Sequence, residues 1–276
     1  MRLIMFSRLE SWFGWLTSDP VSFIIYALYL TVTVLMSLIL HEVAHGYVAL
    51  RCGDPTAKWL GRLSLDPRKH LDPLGTVCMF LLGFGWAKPV PVNPRNFRNY
   101  RRDDFLVSIA GIVTNLTLFI LCAALSVGVN RLIWEPEFLT AFRDQFGSLQ
   151  GLLNLYHDDG MWASAIISGS SYDYLNTFAR YPWLLYVQRF LLMMAQINLA
   201  LAVFNILPIP PLDGYHLLND TLLKGRLQLN RKAFQIAQVA LLLVCFSGIL
   251  STLLSKINSA VYTSVVNLFL LIAGGM

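Results

Sequence analysis

Apolar residues along this chain come in long uncharged runs, separated by stretches where prolines, glycines and charges crowd together. The first run, Val21 to Leu40, holds about twenty residues without a charge, close to what a helix rising about 1.5 Å per residue needs to cross a hydrocarbon layer about 30 Å thick. Asp19-Pro20 before it suits a helix start, because Asp accepts from exposed N–H groups and Pro fits the first turn. Gly53 marks the stop. A helix over residues 20–51 is therefore predicted, roughly 45 Å long, so that residues 41–45 lie toward one end of the span.

Residues 52–104 read differently, with Gly53-Asp54-Pro55, Asp66-Pro67, Asp72-Pro73, Pro89, Pro91 and Pro94 as punctuation. Within them Leu74 to Trp86 is apolar but too short to cross, which predicts a small re-entrant or β-like segment between the first two main spans. Val90-Pro91-Val92 must be extended. Further spans are predicted over 105–130 and 183–214, the second ending at Pro208-Ile209-Pro210-Pro211-Leu212-Asp213-Gly214. A C-terminal helical pair is predicted over 235–275, on either side of Lys256. Leu9, Trp12, Phe13 and Leu16 fall at helical spacing, as in a short helix lying in the headgroup region. Glu137 to Tyr156 suits an amphipathic helix. The expected fold is a single all-α polytopic membrane domain, residues 1–276, with about five to six transmembrane helices, five by direct count.

Composition agrees with that pattern: 56% of the 276 residues are hydrophobic and only 13% charged, and the mean hydropathy is +0.57. The net charge of +5 would suggest nucleic acid in a soluble protein, but ten of the Lys and Arg residues lie between Arg51 and Asp104. That clustering points to cytoplasmic loops, and no nucleic-acid partner is expected. Residues 131–182, where acidic side chains outnumber basic ones, are then an extracytoplasmic insert, with the N-terminus outside and the C-terminus in the cytoplasm. The four cysteines form no C-x-x-C pair, so neither a disulfide framework nor a cysteine zinc site is implied.

The chemistry concentrates in His41-Glu42-Val43-Ala44-His45. Residues four apart share a helix face, so both imidazoles can approach one point about 2.0 to 2.1 Å from each, the Zn–N distance. Glu42 sits about 100° around the helix from His41, able to take a proton from an activated water without being forced to ligate. The bland alternative is a solvated trio at a helix end; ionisable groups at the end of an uncharged span argue against it. A catalytic zinc takes three protein ligands, and Asp213 is the best third, since the prolines turn its span back toward the same basic face. As an alternative, Asp213 would cap a helix starting at Gly214. His70 and His216 are rival ligands.

These residues resemble a known family. His41-Glu42-Val43-Ala44-His45, together with Asn205-Ile206-Leu207-Pro208-Ile209-Pro210-Pro211-Leu212-Asp213-Gly214, look like the two signatures of the site-2 protease family, peptidase family M50. The stretches from Gly53 to Ala57, Gly61 to Leu63, Asp66 to Gly75 and Gly85 to Pro94 are similar to its compact bacterial branch without a PDZ domain. Ala110-Gly111-Ile112-Val113-Thr114-Asn115 is similar to the family's Ala-Gly-Pro-x-x-Asn, with Ile112 in place of proline. On their own, Gly111 and Asn115 read as close packing and a polar helix contact.

The resemblance implies one catalytic Zn2+ held by His41, His45 and Asp213, with Glu42 as the catalytic base and Asn205 steadying the substrate carbonyl. It implies a zinc-dependent intramembrane endopeptidase acting in regulated intramembrane proteolysis. Its partners would be a transmembrane protein or peptide substrate and the lipid bilayer, its location the bacterial cell membrane, with the active site toward the cytoplasmic side. A substrate helix must become extended before hydrolysis, for which strand addition to an edge within residues 56–92 is one route. Two other classes fit the residues less well: a membrane zinc transporter or sensor, which would carry polar groups through several spans, and an inactive scaffold. Oligomeric state is not legible from one chain.

Overall fold

In the computed structural model the described residues are 4–73, 75, 87–146, 178–223, 226 and 229–274. Nine α-helices carry them: α1 Ile4–Ser18, α2 Pro20–Cys52, α3 Thr56–Trp59, α4 Tyr100–Ile133, α5 Pro136–Phe146, α6 Leu184–Asn205, α7 Asp213–Thr221, α8 Arg231–Ser247 and α9 Ile249–Gly274. Among the described residues there is no sheet, only two isolated bridges, Leu71 with Ala87 and Trp134 with Ala179. The helices divide between two compact units: residues 1–11, 35–117 and 198–256 form one, and residues 12–34, 118–197 and 257–276 the other.

Helix α2 begins where expected, with the Ser22 N–H donating to Asp19 Oδ1 at 3.1 Å. It ends at Gly53, whose φ of 110° is open to glycine and costly for other residues. Along α2, Ile24, Leu28, Val32 and Met36 are exposed apolar side chains four apart, whereas Thr33, Ser37, His41 and His45, also four apart, are buried. Such a helix is greasy outside and polar inside, the reverse of a soluble helix, and is stable only where hydrocarbon replaces water. Helix α4 repeats the pattern, burying Ser108, Asn115, Ser126 and Asn130 while exposing Val113, Ile120 and Leu125. The protein is an all-α polytopic membrane protein.

Four described helical stretches are long and apolar enough to cross a membrane: Pro20–Cys52, Tyr100–Ile133, Leu184–Asn205 and Thr252–Ala273. The crossing expected to begin at Gln235 is divided differently. Helix α8 has 17 residues and stops at Gly248, in the left-handed region at φ 77°, after which α9 starts again. The short apolar segment expected from Leu74 to Trp86 lies, apart from Gly75, outside the described residues. At its base the chain returns on itself, since the Lys88 N–H donates to the His70 carbonyl at 2.8 Å beside the Leu71–Ala87 bridge. Of the amphipathic helix expected over 137–156, the part to Phe146 is α5; residues 147–177 lie outside the described residues.

In the first unit, α6 lies against α2 through a hydrogen bond from Asn198 Nδ2 to Ser37 Oγ at 2.8 Å. That contact carries the C-terminal end of α6 to the histidine end of α2. Residues 53–56 and 93–96 are tied together by Asp54, which is fully buried. Its carboxylate accepts from the Thr56 N–H and hydroxyl, from the Asn93 N–H and from Asn96 Nδ2. Burial alone would raise this carboxyl, but those hydrogen bonds outweigh it and hold it below the ordinary range. In the second unit Ile133, Trp134, Leu184 and Leu185 form a core closed by Phe138 and Phe178.

Candidate active site

His41 and His45 occupy one face of α2 and are both buried. Their Nε2 atoms stand 3.0 Å apart. Asp213 reaches them because residues 206–212 fold back in consecutive tight turns, with Leu207 N–H to Phe204 O, Ile209 N–H to Leu207 O and Leu212 N–H to Ile209 O. Gly214 closes the turn: a Cβ there would collide with the Ile206 carbonyl. The cap position of α7 belongs to Leu212 and Asp213 is the first helical residue, so the carboxylate does not serve as the cap. Its Oδ2 lies 3.4 Å from Nε2 of each histidine.

Helix α4 forms the floor. A Cβ on Gly111 would strike the rings of both His41 and His45, standing 2.5 Å from His45 Nε2, so only glycine leaves room for the pair. One turn earlier the Val107 carbonyl is 2.7 Å from His45 Nδ1, and one turn later the Asn115 amide is 3.1 Å from His41 Nδ1. Gly111 and Asn115 are thus site residues, beyond the packing contacts their types suggested. The unbroken course of α4 through Ile112 agrees with isoleucine standing where proline would bend the helix.

The trio fits a metal ion. His41, His45 and Asp213 present ligand atoms within 4.8 Å of one another. Ligands about 2.0 to 2.1 Å from a tetrahedral centre are about 3.3 Å apart, and the separations here are 3.0, 3.4 and 3.4 Å. Asp213 Oδ2 is buried with no hydrogen-bond donor, an expense that a cation would remove.

Other expected residues are placed as follows. Glu42 accepts a hydrogen bond at Oε2 from the Val90 N–H at 2.7 Å. Asn205 donates from Nδ2 to the Leu201 carbonyl at 2.9 Å. His70 faces the Ser64 carbonyl, 2.7 Å from its Nε2, and His216 faces Asp104, 3.4 Å from its Nδ1; neither rival belongs to the metal-competent group. The contact with Asp104 outweighs burial and raises His216 above the ordinary imidazole range. Asp220 is pushed up to about 7 by burial and then by the Asp104 charge.

Two imidazoles on one long apolar helix and a carboxylate on the short helix that follows another, with a second carboxylate one residue along, make the donor set of a metal-dependent hydrolase in a membrane protein. Residues 29–248 match the family model described as Peptidase family M50. The chain belongs to that family, the site-2 protease family of metalloproteases, and the match includes no PDZ domain. YwhC of Bacillus subtilis (strain 168), named as a candidate zinc metalloprotease, is 39% identical over 197 residues, covering 71% of this chain and 70% of that protein. Rip2 of Mycobacterium tuberculosis (strain H37Rv), named likewise, is 28% identical over 240 residues, covering 84% and 73%. Rip2 of Mycolicibacterium smegmatis is 30% identical over 131 residues, covering 45% and 49%. No solved structure gives a significant match.

Proposed function

We propose that this protein is a zinc-dependent intramembrane endopeptidase that hydrolyses a peptide bond of a transmembrane substrate segment, near the cytoplasmic face of the bacterial cell membrane, in regulated intramembrane proteolysis. The observation that carries this reading is the convergence of His41 Nε2, His45 Nε2 and Asp213 Oδ2 within 3.4 Å, at one end of a helix long enough to span the bilayer. In it His41, His45 and Asp213 hold one zinc ion. Zinc, when bound, supplies a Lewis acid for water and for the scissile carbonyl.

The chain's own residues supply the rest. Glu42 takes the proton of the attacking water and returns it to the leaving amine nitrogen. Val107 accepts from His45 Nδ1–H, leaving the lone pair of Nε2 facing the other two ligands. Asn205 exchanges its bond to the Leu201 carbonyl for one to the substrate oxygen. The concentration of Lys and Arg between Arg51 and Asp104 supports a cytoplasmic position for the histidine end of α2.

Co-expression with tagged single-span membrane proteins, whose spans contain helix-breaking residues, tests this reading. Wild type should release a shortened fragment and carry about one zinc per chain. Glu42→Gln should retain zinc and lose cleavage; Asp213→Ala should lose both. Cleavage by Glu42→Gln at the wild-type rate, or normal zinc and cleavage in Asp213→Ala, would remove the assignment. Zinc uptake into vesicles unaltered by Glu42→Gln would favour a transporter.

A further inference from the structure

The bond between Glu42 and Val90 joins the site to a segment far along the chain. Residues 88–93 are held at both ends. Arg62 Nη2 donates to the Lys88 and Pro89 carbonyls at 2.8 and 3.1 Å, and the Asn93 N–H donates to the buried Asp54 at 2.7 Å. Between these anchors Val90 is buried. Pro89 and Pro91 carry no N–H and favour extended backbone, so Val90 supplies the sole backbone donor of residues 89–91. That donor goes to Glu42 Oε2.

The side chain of Val90 secures the same approach. Glu42 and Gly46 are one turn apart on the same face of α2. A Cβ on Gly46 would lie 2.9 Å from Val90 Cγ1 and 2.6 Å from Leu63 Cδ2, so glycine lets the segment reach the helix. A glutamate has three rotatable side-chain bonds, and a general base must stay within about 2.6 to 3.2 Å of the proton it takes. One oxygen fixed by a rigid N–H leaves the other to perform the transfer.

Resting on the assignment of Glu42 as base, we propose that residues 88–93 are a fixed strap whose Val90 N–H aims the Glu42 carboxylate, and that Arg62 is a positioning residue acting through that strap. The same N–H is unavailable to a substrate strand. An added strand therefore cannot use Val90 as a donor while Glu42 is held, which takes that position out of the 56–92 edge considered for strand addition.

Two measurements test it. Val90 contributes the one exchangeable amide of residues 89–91, so hydrogen exchange followed by mass spectrometry reads it without turnover. Wild type should protect this amide, and Glu42→Ala should speed its exchange by about tenfold or more; equal protection in both would overturn the proposal. The second measurement is steady-state cleavage of a purified single-span protein that wild type cleaves in the co-expression assay. Val90→Pro, which deletes the N–H in an extended backbone, should lower kcat on the order of 10²-fold with zinc retained and KM little changed. Val90→Ala, which keeps the N–H, should lose only a few-fold. Arg62→Ala should lower kcat and Arg62→Lys should recover part of it.

Loss of zinc, or a rise in KM without a fall in kcat, would mark the strap as a mere packing element and overturn the inference. Faster cleavage by Val90→Pro would show that the bond restrains the base instead of aiming it, and would overturn it too. If Glu42→Gln abolishes cleavage while Val90→Pro does not alter it, the strap fails and the protease assignment stands. If Glu42→Gln cleaves normally, the assignment of the base itself fails.

Discussion

The side-chain amide of Asn115 lies 3.1 Å from Nδ1 of His41, on the side of the ring away from Asp213. Nδ2 faces the ring while Oδ1 is buried without a partner. A half-turn of the amide exchanges two atoms of nearly equal shape and lets Oδ1 accept from an Nδ1–H. That places the lone pair of His41 on Nε2, toward His45 and Asp213. Asn115→Leu should weaken zinc binding about 10- to 100-fold, read by competition with a chelator. Asn115→Asp, which keeps an acceptor, should bind zinc more tightly than Asn115→Leu.

Gly111 sets how closely α4 approaches the histidines. Gly111→Ala should push the rings apart, cost about 1 to 3 kcal/mol through overpacking and abolish stoichiometric zinc binding. Gly128, on the same helix with nothing near its missing Cβ, is the control: Gly128→Ala should leave zinc content unchanged. Metal analysis of the two purified variants, with thermal melts in detergent, checks both.

Asp54 anchors the loop that carries Val90. Asp54→Ala leaves the donors from Thr56, Asn93 and Asn96 unmatched and should cost about 2 to 4 kcal/mol. Its folded carboxyl titrates below the ordinary value. Its stabilisation is therefore fully present above about pH 4, the unfolded range, and lost as pH falls through the depressed folded value. Wild type should lose melting temperature over that acid window more steeply than Asp54→Asn.

Asp220 has the opposite sign. With its carboxyl raised to about 7, the folded protein holds a proton that the unfolded chain has released between about pH 4 and 7, so this group destabilises progressively as pH rises through that window. Asp220→Asn should raise the melting temperature at pH 8 and change it little at pH 4. His216, raised by Asp104, acts the other way: it stabilises below its unfolded value, and that contribution fades as pH climbs past the folded one. His216→Asn should therefore lower the melting temperature at pH 6 more than at pH 8.5.

Asn205 donates its amide to the Leu201 carbonyl, a bond that the proposed mechanism exchanges for one to the substrate. Asn205→Ala should leave zinc content intact while kcat falls about 10- to 1,000-fold. An unchanged kcat would reduce Asn205 to a helix contact.

Much of the site was legible in the chain, for reasons that differ by residue. His41 and His45 share a face because an α-helix repeats every 3.6 residues, and Thr33 and Ser37 extend their stripe inward by the same arithmetic. Asp213 was legible through its prolines and glycine, which force a sharp return. The Val107 carbonyl was not, and Asn115 stood out only through the family resemblance, since a polar helix contact and a backbone carbonyl look the same wherever they point. The division of the C-terminal pair at Gly248 was missed because one glycine in an apolar run reads equally as a packing site.

The sequence by itself determined the membrane class, the helical spacing of two imidazoles and the presence of a distant carboxylate. Each of these depends on local periodicity or on the cost of charge in hydrocarbon, and neighbouring residues suffice to express them. Only the tertiary structure decided which atoms meet: Asp213 Oδ2 against both Nε2 atoms, Gly111 beneath the rings, and the Val90 N–H on Glu42. Those contacts join residues 48 or more positions apart. They arise from the packing of α2, α4, α6 and the strap against one another, where each buried polar group must find its partner in another element.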